Sequence, residues 1–170
     1  MASRSEEAAR EATEADVGRL SELRLVAATE LATERGAGVY LAREGRREPP
    51  DISLKGALAD RRARVWAGTI DDYIVGYLVA RVEDLADGRR LGLVEDIFVE
   101  AGAREVGIGE VMMDEALAWF RSEGCIGADA AALPGMRATK NFFETFGFTA
   151  RLLIVHHRFD DKDAGGDGAT

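Results

Sequence analysis

One stretch decides the fold: Val94-Glu95-Asp96-Ile97-Phe98-Val99-Glu100-Ala101-Gly102-Ala103-Arg104-Glu105-Val106-Gly107-Ile108-Gly109-Glu110. Residues 94–99 are apolar and β-branched enough to favour a buried strand. Residues 100–109 form a turn that ends in Gly107 and Gly109. From Glu110 apolar residues recur at helical spacing as far as Gly124, which suits a helix C-terminus.

A strand, a glycine turn and a helix N-terminus together suit an anion. The first N–H groups of a helix have no acceptor inside the helix, and the helix dipole adds partial positive charge there. Gly107 and Gly109 would let the backbone approach a phosphate closely. The alternative is that these glycines only tighten the connection between the strand and the helix.

The length and composition indicate what kind of protein this is. The chain has 170 residues, 46% of them hydrophobic and 31% charged, which predicts one soluble globular domain. We expect this domain to span residues 8–159, between a disordered N-terminus, 1–7, and a disordered acidic, glycine-rich tail, 160–170.

The net charge and the cysteine content limit the binding partners and the cellular compartment that we expect. The net charge of −9 argues against nucleic-acid binding and allows a cationic substrate. Cys125 is the single cysteine, so no internal disulfide can form and a reducing compartment is favoured. Apolar runs are too short for a bilayer, and the N-terminus carries glutamates without an apolar h-region, so no signal peptide is expected. We therefore expect a cytoplasmic protein with no membrane partner.

The remaining pattern predicts an α/β fold. A sequence resembling a capping box, Thr13-Glu14-Ala15-Asp16, precedes a helix that Gly36-Ala37-Gly38 ends. An arginine-rich loop, 39–50, follows and includes Arg46 and Arg47. Further helices are predicted at 52–59, 110–124 and 137–146, and strands at 8–12, 64–69, 73–82, 91–99, 126–133 and 148–156. This order predicts a mixed sheet: an antiparallel meander, then a strand–helix–strand crossover.

Three motifs together resemble the GNAT acyltransferase superfamily. Arg104-Glu105-Val106-Gly107-Ile108-Gly109 matches its acyl-CoA loop, Arg/Gln-x-x-Gly-x-Gly/Ala. Asn141-Phe142-Phe143-Glu144-Thr145-Phe146-Gly147-Phe148 resembles its later helix, and Thr13 to Asp16 resembles its usual start. The resemblance covers about residues 8–159 and implies an acyl-CoA N-acyltransferase fold. It also implies direct acyl transfer from acetyl-CoA to a primary amine of a small molecule or peptide, without a metal.

The resemblance assigns a cofactor site. The pantetheine arm would bond the backbone of Ile97, Phe98 and Val99, and an N–H near Val99 would polarise the thioester carbonyl. The pyrophosphate would lie on N–H groups of the loop and the helix start. The residues that the motifs add to this site are Arg104, Glu105, Val106, Gly107, Ile108, Gly109, Glu110 and Asn141.

The sequence departs from the family pattern at three places. Glu105 and Val106 stand where basic residues or glycine are common, which predicts weakened rather than lost CoA binding. Met136 replaces a frequent asparagine. Phe143 replaces the tyrosine that commonly protonates the CoA thiolate, so a water, or one of Tyr40, Tyr73 and Tyr77, would have to donate instead.

An amine acceptor needs a base, because its pKa is about 10.4 and few molecules are neutral at pH 7. Glu95 is the candidate, since polyamine acetyltransferases of the superfamily have a similar Glu-Asp-x-Phe-Val stretch. Strand alternation predicts that Asp96 faces the other way. The alternative is that either carboxylate only pairs with an arginine. His156 and His157, on opposite faces of the last strand, are expected to be structural, and Cys125 has no evident partner for nucleophilic catalysis.

Two other functions stay open at this point. The first is an acyl-CoA-binding module of the same fold without transferase activity. The second is a dinucleotide-binding fold, because Gly107-x-Gly109 follows a strand and Asp129 lies at a suitable distance, although Met112 replaces the third glycine. The acceptor is not encoded in a motif; polyamines, aminoglycosides and lysine side chains all fit. Edge strands of this superfamily often pair, which allows a homodimer.

Overall fold

A computed structural model describes residues 6–44 and 48–159. The predictions made for residues 1–5, for Arg46 and Arg47, and for the tail 160–170 lie outside the described residues. Within the described ranges, none of the helices combines the length and hydrophobicity that crossing a bilayer requires.

A five-stranded mixed sheet with helices on both faces forms the domain, which confirms the predicted fold class. The strands lie in chain order, and each neighbouring pair is antiparallel except the last, which is parallel. The strands are β1 (Glu7–Glu11), β2 (Ala63–Ile70), β3 (Tyr73–Asp84), β4 (Arg90–Val99) and β5 (Cys125–Ala130), and the helices are α1 (Val17–Leu31), α2 (Ala37–Arg43), α3 (Pro50–Ala59), α4 (Ile108–Ser122) and α5 (Arg137–Thr145).

Each face of the sheet has its own core. On one face, α1 and α3 cover side chains of β2 and β3, with Leu20, Leu23 and Leu54 fully buried. On the other face, α4 lies close to the sheet because two strand residues opposite it are glycines. A Cβ at Gly68 would come within 2.6 Å of Ile108, and one at Gly92 within 2.6 Å of the Phe120 ring. The position of α4, and of the loop before it, is therefore fixed by the sheet.

The predicted loop 39–50 is wrong in its first part, where α2 forms. The first helix ends at Leu31, and Gly36, at a φ of 83°, starts the new helix. The carbonyl of Gly36 accepts the N–H of Tyr40 at 3.1 Å. Gly36, which was predicted to end the first helix, instead precedes the second one, because its left-handed backbone turns the chain between the two helices.

The predicted last strand, 148–156, is also wrong. Residues 149–159 have no regular secondary structure, and the side chains of Leu152, Leu153, Ile154 and Val155 are exposed. β-propensity depends on context, so a β-branched, apolar pattern alone does not pair a segment with the edge strand β5. His156 and His157 therefore do not lie on opposite faces of a sheet.

The predicted capping box is confirmed, on a 3-10 turn, Glu14–Asp16, that leads directly into α1. The buried carboxylate of Asp16 accepts the N–H of Thr13 at 2.8 Å and both terminal nitrogens of the Arg10 guanidinium at 2.8 Å. The hydrogen bonds from Arg10, followed by those from Thr13, lower the pKa of Asp16 to about 2. This carboxylate fixes β1 against the start of α1.

We predict that Asp16→Asn lowers the free energy of unfolding at pH 7 by about 1–2 kcal/mol, a figure reduced because Arg10 is half exposed. The folded pKa lies below the unfolded one, so the contribution is complete above about pH 4 and is lost as pH falls towards 2. Urea unfolding of both proteins at pH 7, 4 and 2.5 measures this. A wild type–variant difference that stays constant down to pH 2.5 would contradict the assignment.

Candidate active site

Strands β4 and β5 part in the middle of β4. Their ladder runs from Arg90, opposite Cys125, to Val94, opposite Ala130, and β5 ends there. β4 continues to Val99, and beyond Val94 its ladder partners in the described part of the chain are all on β3. A gap therefore opens beside residues 95–99, on the side of the sheet edge and next to the start of α4.

A β-bulge lies where the strands part. The register of β3 against β4 shifts between Val79, opposite Asp96, and Ala80, opposite Val94, which makes Glu95 the extra residue. A bulge adds one residue to one strand and bends it locally. The bulge therefore lies next to the point where the β4–β5 ladder ends, at Val94.

The loop after β4 ends in a helix N-terminus with unused donors. Gly107 precedes α4 at a φ of 99°, and no side chain caps the helix. The first N–H that bonds back is that of Val111, to the carbonyl of Gly107 at 3.0 Å. Among the described residues, none accepts a hydrogen bond from the N–H groups of residues 105–110. These amides, with the helix dipole behind them, can bind a phosphate.

Glu105 in this loop adopts a backbone that suits glycine better. Its φ is 67°, in the left-handed region, where a side chain costs about 1–2 kcal/mol. The neighbouring Val106 is exposed, and a Cβ at Gly107 would meet nothing within 4 Å. The loop surface is therefore open to a ligand.

The guanidinium of Arg104 contacts other residues of the chain. Its Nε donates to the carbonyl of Val99 at 2.8 Å, and its terminal nitrogen lies 2.5 Å from Glu30 of α1. The guanidinium carbon also lies 5.4 Å from the centroid of the Phe98 ring. In this arrangement Arg104 ties the turn to β4 and α1.

The other residues assigned to the cofactor lie around the same gap. Ile97 and Val99 pack on the α4 side of the sheet, whereas Phe98 packs on the α1 side. Asn141 is exposed on α5, next to Phe142. The ring of Phe142 lies so close to α4 that a Cβ on Gly109 would be 3.1 Å from it. Asn141, the neighbour of Phe142, is therefore near the start of α4.

The two carboxylates of β4 face the same side, which corrects the expectation from strand alternation. Because Glu95 is the bulged residue, both Glu95 and Asp96 point towards α1 and α3. Glu95 accepts Nε of Arg81 at 2.9 Å, and Arg81 also lies 2.5 Å from Asp60. Asp96 accepts the hydroxyl of Tyr77 at 2.8 Å and lies 3.3 Å from Nε of Arg24.

Burial and these acidic neighbours together raise the pKa of two nearby tyrosines. Burial, followed by the charge of Asp96, raises the pKa of Tyr77 far above its usual value. The same two causes raise the pKa of Tyr40, with Glu44 adding to them. Both phenols therefore stay protonated at neutral pH, while Tyr73 is 74% exposed at the end of the β2–β3 hairpin.

Phe143 is part of the core. Its side chain is 6% exposed and its ring packs against Phe142 at 5.6 Å and Phe148 at 5.5 Å between centroids. The aromatic cluster holds α5 beside α4. At this position the chain uses the ring for packing and has no proton to give.

Comparison with known proteins identifies the family. The sequence profile of the acetyltransferase (GNAT) family matches residues 25–148, which is most of the chain. The chain belongs to the GNAT acetyltransferase family. A search of curated protein sequences found no match.

Solved GNAT-fold structures superpose on nearly the whole chain. A ribosomal-protein-alanine N-acetyltransferase from Brucella melitensis biovar Abortus 2308 is 18% identical, with a TM-score of 0.67 over 91% of this chain and 100% of its own. The aminoglycoside N-acetyltransferase AAC(6')-Iy in complex with CoA is 15% identical, with a TM-score of 0.70 over 94% and 98%. An aminoglycoside acetyltransferase from an uncultured soil metagenomic sample, in complex with sisomicin, is 16% identical, with a TM-score of 0.68 over 91% and 95%.

These likenesses establish the GNAT fold. The dinucleotide-binding hypothesis is wrong, because an antiparallel meander of β2, β3 and β4 leads into the crossover and the GNAT arrangement extends over 91% of the chain. Among the described residues, no group of three or more His, Cys, Asp or Glu side chains is placed to hold a metal ion.

The sequence reading missed the arginines of the site. Arg24 on α1 and Arg81 on β3 hold the two carboxylates of β4, and Asp60, just after α3, shares Arg81. The one available signal was the alternation of β3, in which Arg81 interrupts an apolar run. The bulge that brings Glu95 to it has no recognisable signature in the sequence.

Proposed function

We propose that the chain transfers an acetyl group from acetyl-CoA directly to a primary amine. The observation that carries this proposal is the gap between β4 and β5 with the unaccepted amides of residues 105–110 at its mouth. The pyrophosphate would lie on those amides, and the pantetheine arm would follow β4 past Ile97, Phe98 and Val99. The acetyl group would then be close to the bulge at Glu95.

The chemistry requires one proton to leave the acceptor. In the reaction the amine nitrogen bonds the acetyl carbon, the carbon–sulfur bond breaks and CoA leaves as a thiolate. Glu95, directly or through a water, would take the ammonium proton. A thiolate with a pKa near 8.5 needs little acid assistance, so the buried Phe143 does not prevent turnover. Because the hydroxyl of Tyr77 already donates its hydrogen bond to Asp96, water or Tyr40 is favoured as the proton donor to the thiolate.

The charges beside the gap favour a cationic acceptor. Three carboxylates, those of Asp60, Glu95 and Asp96, share this side of the sheet with the guanidinium groups of Arg24 and Arg81. The chain as a whole carries −9. Both small-molecule and protein amines are acceptors among the similar structures, as an aminoglycoside acetyltransferase and a ribosomal-protein-alanine acetyltransferase. The single Cys125 supports a cytoplasmic location.

An acyl-CoA-binding module without transferase activity is the second candidate. It is favoured by the buried Phe143 and by the arginine partners of Glu95 and Asp96. Isothermal titration with acetyl-CoA, followed by a thiol-release assay over a panel of polyamines, aminoglycosides and lysine peptides, separates the two functions. Binding with acceptor-dependent thiol release supports the transferase, and binding without release under any acceptor supports the module.

We predict that Glu105→Gly tightens acetyl-CoA binding several-fold, because it removes a carboxylate beside the pyrophosphate and a left-handed side chain. Stability should change little, since relief of the strained backbone is offset by the greater entropy of glycine in the unfolded chain. Glu105→Gln is the control: it removes the charge and keeps the strain. Titration calorimetry measures both, and affinity unchanged in both variants would place the pyrophosphate away from this loop.

A further inference from the structure

One guanidinium on β3 is shared by two carboxylates. Arg81 donates through Nε to Oε1 of Glu95 at 2.9 Å, and one of its terminal nitrogens lies 2.5 Å from Oδ2 of Asp60. Glu95 is the bulged residue of β4, whereas Asp60 lies between the end of α3 and the start of β2. A single cation therefore joins the candidate base to a second carboxylate on a different part of the chain.

Asp60 is held in place by contacts other than the one with Arg81. Its Oδ1 accepts the N–H of Arg62 at 2.9 Å, and its carbonyl accepts the N–H of Ala63 at 3.0 Å. Its own N–H donates to the carbonyl of Ala57 at 3.3 Å. The hydrogen bond from Arg62, followed by that from Arg81, lowers the pKa of Asp60, so this carboxylate is ionised at neutral pH. Asp60 is therefore a fixed negative charge to which a guanidinium can stay bound.

The contact of Arg81 with Asp60 is the closer of its two, at 2.5 Å against 2.9 Å for Glu95. Burial lowers the pKa of Arg81, but its hydrogen bonds, first to Asp60 and second to Glu95, raise that pKa above its usual value. The side chains of Arg81, Asp60 and Glu95 are 29%, 35% and 21% exposed. An ion pair that solvent reaches is only weakly stabilising, so the bond between Arg81 and Glu95 can be broken at low cost.

The bond between Arg81 and Glu95 conflicts with the proposed role of Glu95. A base that takes a proton from an ammonium group must first accept a hydrogen bond from it, directly or through a water. The guanidinium of Arg81 competes with the ammonium for the same carboxylate, and it has no proton to lose at neutral pH. Glu95 can therefore act as the base only when the acceptor has taken the place of Arg81.

We propose that Arg81 is an internal cation that Glu95 exchanges for the ammonium group of the acceptor, while Asp60 holds the released guanidinium. The exchange rests on the proposed function, and it makes Arg81 and Asp60 positioning residues that set how tightly the acceptor binds. Because different nitrogens of Arg81 bond the two carboxylates, the guanidinium can leave Glu95 and keep Asp60. Each carboxylate then still has one cation. A neutral or anionic acceptor cannot replace a guanidinium in this way, so the site selects amines that enter with their proton.

Acceptor kinetics at saturating acetyl-CoA test the exchange, with whichever polyamine, aminoglycoside or lysine peptide gives the fastest thiol release. Asp60→Asn removes the carboxylate that holds the released Arg81. The KM for the acceptor should therefore rise about tenfold, the effect of losing one charge-assisted hydrogen bond. Arg81→Gln leaves no cation to displace, so KM should fall several-fold. In both variants kcat should stay close to that of wild type, because Glu95 is available once the acceptor is bound.

The double variant, with Asp60→Asn and Arg81→Gln together, shows whether Asp60 acts through Arg81. Its KM should equal that of Arg81→Gln alone, since no guanidinium is left to hold. Asp84→Asn is the matched control: it also removes a carboxylate from an arginine pair, with Arg62, and its KM and kcat should match those of wild type.

Two kinetic results would overturn the exchange. A KM that is higher in the double variant than in Arg81→Gln would make Asp60 a direct ligand of the acceptor. A lower kcat in Arg81→Gln, with KM unchanged, would mean that Arg81 holds Glu95 in its working position throughout the reaction. Titration of each variant with acetyl-CoA shows that the fold is kept, because the exchange predicts wild-type affinity for the donor.

A titration without turnover separates this proposal from the proposed function. In isotope-labelled protein, the NMR signal of the Arg81 Nε–H, assigned by its loss in Arg81→Gln, reports the bond to Glu95. We use n-butylamine as the probe, because it has the alkylammonium group of lysine side chains and polyamines. It should shift this signal in the CoA complex, and Asp60→Asn should need about tenfold more of it.

The two readouts fail independently. A shifted signal in a protein that releases no thiol with any acceptor would contradict the transferase and support the exchange. Thiol release in a protein whose Arg81 signal n-butylamine leaves unmoved would support the transferase and overturn the exchange.

Discussion

Gly107→Trp is expected to abolish acetyl-CoA binding while leaving the fold largely intact. A Cβ at Gly107 meets nothing within 4 Å, so a side chain there begins in open space beside the amides before α4, where we expect a bulky indole to block a ligand. Those amides are the proposed seat of the pyrophosphate, and charge-assisted hydrogen bonds contribute about 1.5–3 kcal/mol each. Loss of two or more of them predicts a decrease in affinity of at least about a hundredfold by titration calorimetry.

The matched control is Gly88→Trp. Gly88 has a φ of 84°, close to the 99° of Gly107, and a Cβ there also meets nothing within 4 Å. It lies in the turn between β3 and β4, at the opposite end of β4 from the CoA loop. Both variants therefore carry the same backbone strain, about 1–2 kcal/mol. Equal thermal stability with affinity lost only in Gly107→Trp supports the site, whereas retained affinity in Gly107→Trp contradicts the pyrophosphate assignment.

Sequence periodicity predicted most of the fold because the core follows it. The meander of β2, β3 and β4 and the crossover through α4 are recognisable from alternation, turn residues and helical spacing. The two wrong elements share a cause. The local sequence pattern does not show whether Gly36 ends a helix or starts one, nor whether an apolar segment such as residues 152–155 pairs with a sheet edge.

The glycine loop of the candidate site could be predicted from the sequence, whereas the orientation of its carboxylates, Glu95 and Asp96, could not. The loop has a recognisable sequence pattern because its backbone includes a positive φ, at Gly107, which glycine adopts far more readily than other residues. Glu95 and Asp96 could not be oriented, since one extra residue in β4 puts both on the same face. Their partners Arg24 and Arg81 come from α1 and β3, and long-range ion pairs leave no local signal.

Glu95→Gln is expected to lower kcat/KM for an amine acceptor by about a hundredfold at pH 7, as loss of a general base does. The deficit should be largest at acidic to neutral pH, where nearly all of the amine carries its proton. It should shrink as pH rises towards the amine pKa of about 10.4, because solvent then supplies the free amine. The glutamine oxygen can still accept the hydrogen bond from Arg81, so the fold at the bulge should be kept.

Asp96→Asn is the matched control for Glu95→Gln. Both residues lie on β4, both face α1 and α3, and both are held by a guanidinium. Asparagine can still accept the hydroxyl of Tyr77, so this variant should keep the shape of the site and lose a similar charge. If Glu95 is the base, Asp96→Asn should show a smaller, pH-independent loss. The opposite pattern would transfer the role to Asp96, and two identical profiles parallel to wild type would mean that neither carboxylate takes the proton.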